Sequence, residues 1–170
     1  EGDTALPVSH VSYHAANAFA EWFEELLPPE LQGSDVRLPT ESEWEWAARA
    51  VSATIEDSVF KDREQSGPAA LTVNRSPRAP VADLLGNVWE WTSSWYHPAA
   101  YAAAAKTGAD GKVVSTEAFD TSPGAQWVVR GGSWVNPPGS VGVVTRGAQP
   151  AEASTPFLGF RIVIVEPSNG

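Results

Sequence analysis

The chain has 170 residues, of which 42% are hydrophobic and eight are tryptophan, so it can bury a core as one domain of ordinary size. Asp and Glu number 21 against 11 Lys plus Arg, which gives a net charge of −10. Because contacts to nucleic-acid phosphates need a basic face, this charge argues against a nucleic-acid partner. The absence of cysteine excludes disulfides, thiol nucleophiles and thiolate metal sites.

Methionine is also absent, and position 1 is Glu1. We therefore expect the chain to be a processed or trimmed piece of a longer polypeptide. The sequence shows no signal peptide and no apolar run long enough to span a membrane. Any such element is expected in an N-terminal part that precedes this chain.

The first predicted element is an amphipathic helix over residues 14–27. Its apolar residues recur at helical spacing, while Glu21, Glu24 and Glu25 fall on the other face, so we expect it to pack on the core. Ser12 is a candidate N-cap, and a pair of prolines ends the pattern. The apolar positions are Ala15, Ala18, Phe19, Trp22, Phe23, Leu26 and Leu27.

A second, shorter helix is predicted over residues 44–50. Glu43 stands three residues after Thr40, which is the spacing of a capping box. Glu41, Glu43 and Glu45 also suit the positive end of the helix dipole, and we interpret them as a solvated helix start rather than a catalytic pair. The positions expected to face inward are Trp44, Ala47 and Ala48.

The rest of the chain alternates between long loops and short strands. Residues 51–80 are rich in turn residues and have few periodic apolar positions, so they are predicted to form a surface loop. An alanine-rich stretch over residues 99–105 favours at most a helical turn, and a polar loop follows. Residues 126–134 are predicted to form a strand and a turn, after which the chain re-enters the sheet. The apolar run over residues 159–165 indicates a closing strand buried on both faces.

Residues 83–92 combine two tryptophans with two acids after a Gly-Asn turn signal. Trp89 and Trp91 share a parity, so on a strand they face one side of the sheet while Glu90 faces the other. An acid on each side of a turn, here Asp83 and Glu90 with carbonyls between them, is also a reasonable ligand set for a hard cation such as calcium. An ordinary core strand explains the same pattern, and both interpretations stay open on the residues alone.

No catalytic residue is predicted. The three histidines are scattered along the chain, and Gly132-Ser133-Trp134 lacks the frame of a nucleophile elbow. Arg37, Arg130 and Arg161 each adjoin an aromatic or apolar segment, so we expect them to be buried or half-buried partners of acids. The candidate acids are Glu43, Glu45 and Glu90.

Five motifs occur in a fixed order along nearly the whole chain. They are Pro7-Val8-x-x-Val11-Ser12, Arg37-Leu38-Pro39-Thr40-Glu41-x-Glu43-Trp44-Glu45, Gly86-Asn87-Val88-Trp89-Glu90-Trp91, Arg130-Gly131-Gly132-Ser133-Trp134 and Gly159-Phe160-Arg161. Together they resemble the formylglycine-generating-enzyme-like, or sulfatase-modifying factor, family. The resemblance implies one domain over residues 1–170 with an α+β, C-type lectin-like fold, in which two helices pack on a small, irregular antiparallel sheet with long loops. It also implies that the N-terminal portion of the family domain is missing, and that this segment of the same polypeptide is a partner.

The resemblance leaves enzymes and binding proteins open. Formylglycine-generating members hold copper with two cysteines that follow the Arg-Gly-Gly-Ser-aromatic motif, and these positions fall at Asn136 and near Val141 here. We therefore expect no copper and no oxidase activity. Sulfoxide-forming members need a histidine triad from a separate domain. The alternatives are an oxidoreductase or a substrate-binding domain of a larger enzyme, and a structural or regulatory domain.

A third group fits the sequence better than these enzymes: the chain resembles the non-catalytic variable proteins of diversity-generating retroelements, whose hypervariable stretch corresponds to residues 135–158. This resemblance implies a non-enzymatic protein that displays a binding surface to a protein or cell-surface ligand. It favours a secreted or cell-surface location over a cytoplasmic one. The candidate ligand-binding residues are Val135, Pro137, Gly139, Ser140, Gly142, Val143, Thr145, Gly147, Ala148, Ser154, Thr155 and Pro156.

The family's calcium site can be carried over onto four positions. They are Asp83, Gly86, Val88 and Glu90, and they imply a structural calcium ion held by two side chains and two backbone carbonyls. A second family calcium site falls in a segment replaced here by residues 51–80, where no match is found.

Overall fold

The computed structural model describes residues 6–51, 66–70, 81–97 and 125–167. These residues form helices α1 (Tyr13–Glu24) and α2 (Glu41–Ala50), a short 3-10 turn (Pro29–Leu31), and strands β1 (Asp35–Arg37), β2 (Trp89–Trp95), β3 (Gln126–Arg130), β4 (Arg146–Pro150), β5 (Leu158–Phe160) and β6 (Val163–Val165). The predicted α+β class is confirmed. Most of the predicted loop over residues 51–80 and the alanine-rich stretch lie outside the described residues. No helix in the described ranges is long and apolar enough to cross a membrane.

The strands form a four-stranded sheet in the order β4-β3-β2-β5 and a two-stranded sheet of β1 and β6. Strands β2, β3 and β4 are antiparallel, but β5 runs parallel to β2. The sheet is therefore mixed, whereas the sequence predicted an antiparallel one. Strand β4 runs in the same direction as β2, since both are antiparallel to β3. Residues 151–157 then cross from β4 to the far side of β2, so that β5 enters the sheet parallel to β2.

The predicted closing strand over residues 159–165 is two strands in two different sheets. Strand β5 lies at the edge of the main sheet, whereas β6 pairs with β1. Ile164 and Val165 are each 39% exposed, so the prediction of burial on both faces is wrong. The physical reason is that β6 leaves the main sheet after Arg161 and Ile162, and its three residues do not enter a sandwiched core.

Helix α1 buries only part of the predicted face: Phe23 and Leu27 pack on the core as predicted, but the most buried residues of the helix were not predicted. Ala16 and Ala20 are 0% and 2% exposed, whereas Phe19 and Trp22 are 39% and 52% exposed. Leu26, beyond the end of the helix, is 57% exposed. Small alanines let the helix backbone approach the sheet closely, and this leaves the larger side chains at the margin of the core.

The caps of both helices are as predicted. The Ser12 hydroxyl accepts a hydrogen bond from the backbone N–H of Ala15 at 3.2 Å. The Thr40 hydroxyl accepts from the N–H of Glu43 at 3.2 Å, and the Glu43 carboxylate accepts from the N–H of Thr40 at 2.7 Å. Arg37 donates to both oxygens of Glu43 at 2.8 Å, and this hydrogen bonding lowers the pKa of Glu43 to about 2.

The core lies between the helices and the main sheet. Trp44 and Ala48 of α2 are at most 1% exposed, and Ala47 is partly buried against the same core, so the predicted inward positions of α2 are confirmed. Trp91 of β2 is also fully buried. Trp89 is partly buried and packs against the apolar residues around both Trp44 and Trp91. Truncating either buried tryptophan to alanine is expected to cost about 3–5 kcal/mol.

Glu43→Ala tests the capping box, because glutamine at this position would still accept from the N–H of Thr40. At pH 7 we expect a loss of about 1 kcal/mol, mostly from the cap, because the Glu43 side chain is 42% exposed and solvent screens its pair with Arg37. The pKa of Glu43 is lower in the folded chain than its ordinary value of 4.5. Its contribution is therefore complete above that value and is lost as the pH falls towards about 2. Urea unfolding at pH 7 and pH 3 measures the difference, with Glu30→Ala at an exposed position as control. An equal deficit at both pH values contradicts the prediction.

Candidate functional site

A buried network of two arginines and two acids joins α2 to the main sheet. Arg130, at the end of β3, is fully buried and donates to Glu45 at 2.6 Å and to Glu41 at 3.3 Å. Arg146, opposite it on β4, donates from two nitrogens to Glu41. The predicted pairing of Arg130 with an acid of the second helix is confirmed.

The burial of Glu41 differs from the prediction made from the sequence. It was expected in a solvated helix start, but it is 4% exposed and lies between Arg130 and Arg146. Two arginines placed opposite each other on antiparallel strands require more than one acid nearby. The register that brings Arg146 opposite Arg130 is a tertiary feature, so the sequence pattern around Glu41 did not reveal it.

Arg130 also holds the loop that precedes β4. Its guanidinium donates to the carbonyls of Val143 at 2.8 Å, Thr145 at 3.1 Å and Val144 at 3.3 Å. Within the loop, the N–H of Thr145 donates to the carbonyl of Gly142 at 2.9 Å, and the N–H of Gly142 donates to the Thr145 hydroxyl at 2.9 Å. These contacts fix the backbone of the turn. None of them uses the side chain of Val144 at its tip, so that side chain can change without breaking them.

The preceding segment is fixed in a similar way. The Asn136 side-chain oxygen accepts from the N–H and the hydroxyl of Ser133 at 2.9 and 3.1 Å. The Ser140 hydroxyl donates to the carbonyl of Pro137 at 2.6 Å, and Val141 is buried in the core around Trp44. The two positions that the resemblance assigns to copper-binding cysteines, Asn136 and the vicinity of Val141, thus have structural roles.

Residues 151–157 pass beside this segment and are tied to it by a tryptophan. The indole of Trp134 donates to the carbonyl of Pro156 at 3.5 Å, while its backbone N–H donates to the carbonyl of Asn87 at 3.0 Å. The N–H of His10 donates to the carbonyl of Thr155 at 2.9 Å. Two loops from different parts of the stretch 135–156 are therefore brought together. We call the exposed surface of this stretch the loop surface.

The predicted ligand-binding residues divide by exposure. Gly147 cannot vary freely, since an added Cβ would lie 2.7 Å from the side chain of Val129 and 3.2 Å from that of Trp89. Val144 is 63% exposed at the tip of the Arg130-held turn, and sequence reasoning missed it. The exposed predicted residues are Pro137, Gly139, Ser140, Ser154 and Pro156. The partly buried ones are Val135, Gly142, Val143, Thr145, Gly147, Ala148 and Thr155. Ligand binding by these residues stays a prediction.

The turn before β2 is held by a second arginine–acid pair. Glu90 accepts hydrogen bonds from the Trp44 indole and from Nε of Arg161, both at 2.6 Å, and from Nη2 of Arg161 at its other oxygen. Arg161 also donates to the carbonyls of Ala82 and Asp83 at 3.2 and 3.4 Å. The predicted pairing of Arg161 with an acid is thus confirmed, and the acid is Glu90.

The same turn carries the predicted calcium ligands. Burial opposes the charge of Arg161, but the attraction of Glu90, its hydrogen bonds and the charge of Asp83 outweigh it and raise the pKa of the guanidinium. A calcium ion would therefore share Glu90 with a charged arginine. No group of three or more His, Asp or Glu side chains that could hold a metal occurs in the described residues, so such an ion would depend on the carbonyls of Gly86 and Val88. Calcium binding stays a prediction.

The helices, the mixed sheet and the arginine-held loops define an α+β scaffold of the C-type lectin-like kind, and the comparisons with known proteins agree. The family model for the sulfatase-modifying factor enzyme 1-like domain matches residues 1–75 and 72–165. The chain therefore belongs to this family, as its five motifs predicted.

Among relatives, the chain is 30% identical over 185 residues to inactive C-alpha-formylglycine-generating enzyme 2 of Mus musculus, covering 92% of this chain and 48% of that protein. It is 28% identical over 181 residues to formylglycine-generating enzyme of Streptomyces coelicolor, covering 91% and 51%. It is 30% identical over 156 residues to hercynine oxygenase of Mycolicibacterium smegmatis, covering 78% and 31%. The chain thus spans about half the length, or less, of these relatives.

Two solved structures are similar over 98% of the chain. Variable protein 1 of Treponema denticola has a TM-score of 0.71 at 20% identity, with 73% of that chain covered. PvdO of Pseudomonas aeruginosa has a TM-score of 0.74 at 19% identity, with 64% covered. These likenesses show the fold, and they confirm the predicted C-type lectin-like scaffold.

Arg130→Gln tests the buried network. We expect it to lower the free energy of unfolding by about 3–5 kcal/mol, because it leaves Glu41 and Glu45 buried with less compensating charge. The matched control is Arg49→Gln. Arg49 also pairs with Glu45, but its side chain is 59% exposed, so the expected loss is about 0.5 kcal/mol or less. Chemical unfolding of both variants checks this, and losses of similar size contradict it.

Calcium addition tests the predicted metal site. We expect calcium to raise the midpoint of thermal unfolding and a chelator to reverse the rise, because a ligand bound only by the folded chain stabilises it. Asp83→Ala is expected to abolish the calcium-dependent shift. It is a cleaner variant than Glu90→Ala, which also removes the acceptor of Trp44 and Arg161. The exposed Glu152→Ala is the control. A midpoint indifferent to calcium in the unsubstituted chain refutes the site.

Proposed function

We propose that the chain is a non-enzymatic ligand-binding protein that presents the loop surface, residues 135–156, on a C-type lectin-like scaffold. One observation carries the proposal. The backbone of the turn around Val144 is held by Arg130 from below, through three carbonyl oxygens. Because carbonyls are common to all residues, the side chains at the tip are free to differ without loss of the loop conformation.

The chemistry of the loop surface suits a protein or cell-surface ligand. Apart from Glu152, its exposed residues are small or apolar and uncharged, such as Pro137, Ser140 and Val144. An added side chain at Gly142 meets no heavy atom within 4 Å, so larger residues fit there. A surface of this kind can gain aromatic or charged anchors by substitution, as diversified binding proteins need. A secreted or cell-surface location is part of this proposal.

The absence of an enzymatic role is supported by chemistry. The sequence has no cysteine, and Asn136 and Val141 serve the fold at the positions of the family's copper ligands. One relative is named inactive C-alpha-formylglycine-generating enzyme 2, and its name agrees with a family that includes members without the formylglycine-generating activity.

The second candidate is an oxidoreductase, or the substrate-binding domain of a larger enzyme. The observation that favours it is the similarity to formylglycine-generating enzymes and hercynine oxygenase, of which the chain covers about half or less.

The proposal predicts that the loop surface can be re-specified while the scaffold stays intact. A library randomised at Gly142, Val144, Glu152 and Ser154 is selected for binding to a protein such as lysozyme. We expect binders with Kd of about 1 μM or lower, whose free energies of unfolding stay within about 0.5 kcal/mol of the parent. The inward control Gly147→Val is expected to lose about 1–3 kcal/mol by overpacking.

Two outcomes count against the proposal. One is a library in which the selected positions unfold the chain or yield no binder. The other is conversion of a cysteine-containing peptide to an aldehyde by the natural chain supplied with copper and oxygen, which supports the enzymatic candidate. A near-identical template repeat and a reverse transcriptase gene beside the coding sequence would support hypervariability of the loop surface.

A further inference from the structure

We propose that Arg161 is a built-in cation of the turn before β2 and sets how tightly this turn binds a divalent cation such as calcium. The guanidinium donates to the carboxylate of Glu90 and to backbone carbonyls of the turn. These are the kinds of oxygen that a hard cation needs, so Arg161 and an ion compete for Glu90. The loop surface and its proposed function have no part in this competition.

Both carboxylate oxygens of Glu90 already have donors. One oxygen accepts from the Trp44 indole and from Nε of Arg161, both at 2.6 Å, and the other accepts from Nη2 of Arg161. Three of the roughly four lone-pair directions of the carboxylate are thus used. Calcium often takes both oxygens of a glutamate. It can bind Glu90 in this way only if it displaces part of the pair with Arg161.

The same guanidinium reaches the backbone of the turn. Its Nη2 donates to the carbonyls of Ala82 at 3.2 Å and Asp83 at 3.4 Å, and the charge of Asp83 also attracts it. The positive charge of Arg161 therefore lies among the oxygens of the turn, beside the one acid that both the guanidinium and an ion would use.

Other protein contacts also close the turn. The N–H of Gly86 donates to the carbonyl of Gly131 at 2.8 Å, and the carbonyl of Asn87 accepts from the N–H of Trp134 at 3.0 Å. The Asn87 side chain pairs with the N–H and the carbonyl of Ala69 at 3.0 and 3.1 Å, which supports its positive φ of 62°. Since these contacts hold the backbone, a bound ion has little structure left to create. Its affinity is then decided by the charges that it meets.

Burial makes the charge of Arg161 effective against an ion. Glu90 is 5% exposed and the Arg161 side chain is 23% exposed, so water screens their surroundings only in part. Like charges repel more strongly where water does not separate them. Without the positive charge of Arg161, the carboxylate of Glu90 is left uncompensated, which destabilises the chain but favours a bound cation. Arg161 therefore stabilises the turn without an ion and weakens the binding of one.

Arg161→Gln tests the competition, because glutamine removes the charge and keeps a polar side chain. In calcium titrations followed by calorimetry, we expect the variant to bind calcium at least about tenfold more tightly than the unsubstituted chain. Arg161→Lys keeps the positive charge, so it is expected to tighten binding by less. Arg37→Gln is the matched control. Arg37 also donates to both oxygens of a glutamate, Glu43, but it lies outside the turn, so its loss is expected to leave calcium binding unchanged.

Three results overturn the proposal when Arg161→Gln is folded. They are equal or weaker calcium binding by this variant, no binding by either chain, and equal tightening by Arg37→Gln.

Should Arg161→Gln fail to fold, NMR of the unsubstituted chain decides. The N–H groups of the Trp44 indole and of Arg161 Nε both donate to Glu90, so calcium is expected to shift both signals as it takes over part of the carboxylate. Signals that stay unchanged throughout the titration overturn the proposal. The library experiment on the loop surface involves no calcium, so its outcome is independent of all these results.

Discussion

The buried charge of Arg130 is the constraint on which the rest of the structure depends. A guanidinium with no exposed surface must find its partners inside the protein, because an unpaired charge in the interior costs several kcal/mol. The partners come from two places: Glu41 and Glu45 of α2, and the backbone of the turn at residues 143–145. Helix, sheet and loop are therefore fixed relative to one another by one side chain. Such a network contributes more to a single geometry than to net stability.

Trp44 extends this constraint to the second arginine centre. Its ring lies 5.2 Å below the guanidinium carbon of Arg130, a cation–π arrangement, and its indole N–H donates to Glu90. Glu90 in turn holds Arg161, at the start of the link between β5 and β6. Each contact is short and directional, and the tryptophan is almost fully buried. The loop surface and the turn before β2 are consequently linked through one chain of buried contacts, although different elements build them.

Features set by local chemistry could be predicted from the sequence, and features set by tertiary contacts could not. The capping box at Thr40 and the N-cap at Ser12 depend on residues three apart, so the pattern alone identifies them. The pairing of three arginines with acids followed from burial of their neighbouring segments. The buried face of α1 was predicted only in part: Phe23 and Leu27 pack on the core. Hydrophobicity also favoured Phe19 and Trp22, whereas close helix–sheet packing favours Ala16 and Ala20. The division of residues 159–165 between two sheets, the burial of Glu41 and the exposure of Val144 all depend on register and loop path, which periodicity does not encode.

The residues of the loop surface differ in what their side chains do for the fold, and this difference decides which of them can vary. At the turn around Val144, backbone carbonyls make the contacts to Arg130, so Val144 can change while Arg130 keeps the turn in place. Asn136 and Ser140 instead hold the preceding segment through their side chains, which bond to Ser133 and to the carbonyl of Pro137. Changing them costs stability as well as binding. A ligand that varies therefore suits only those exposed positions whose side chains make no contact that the fold needs.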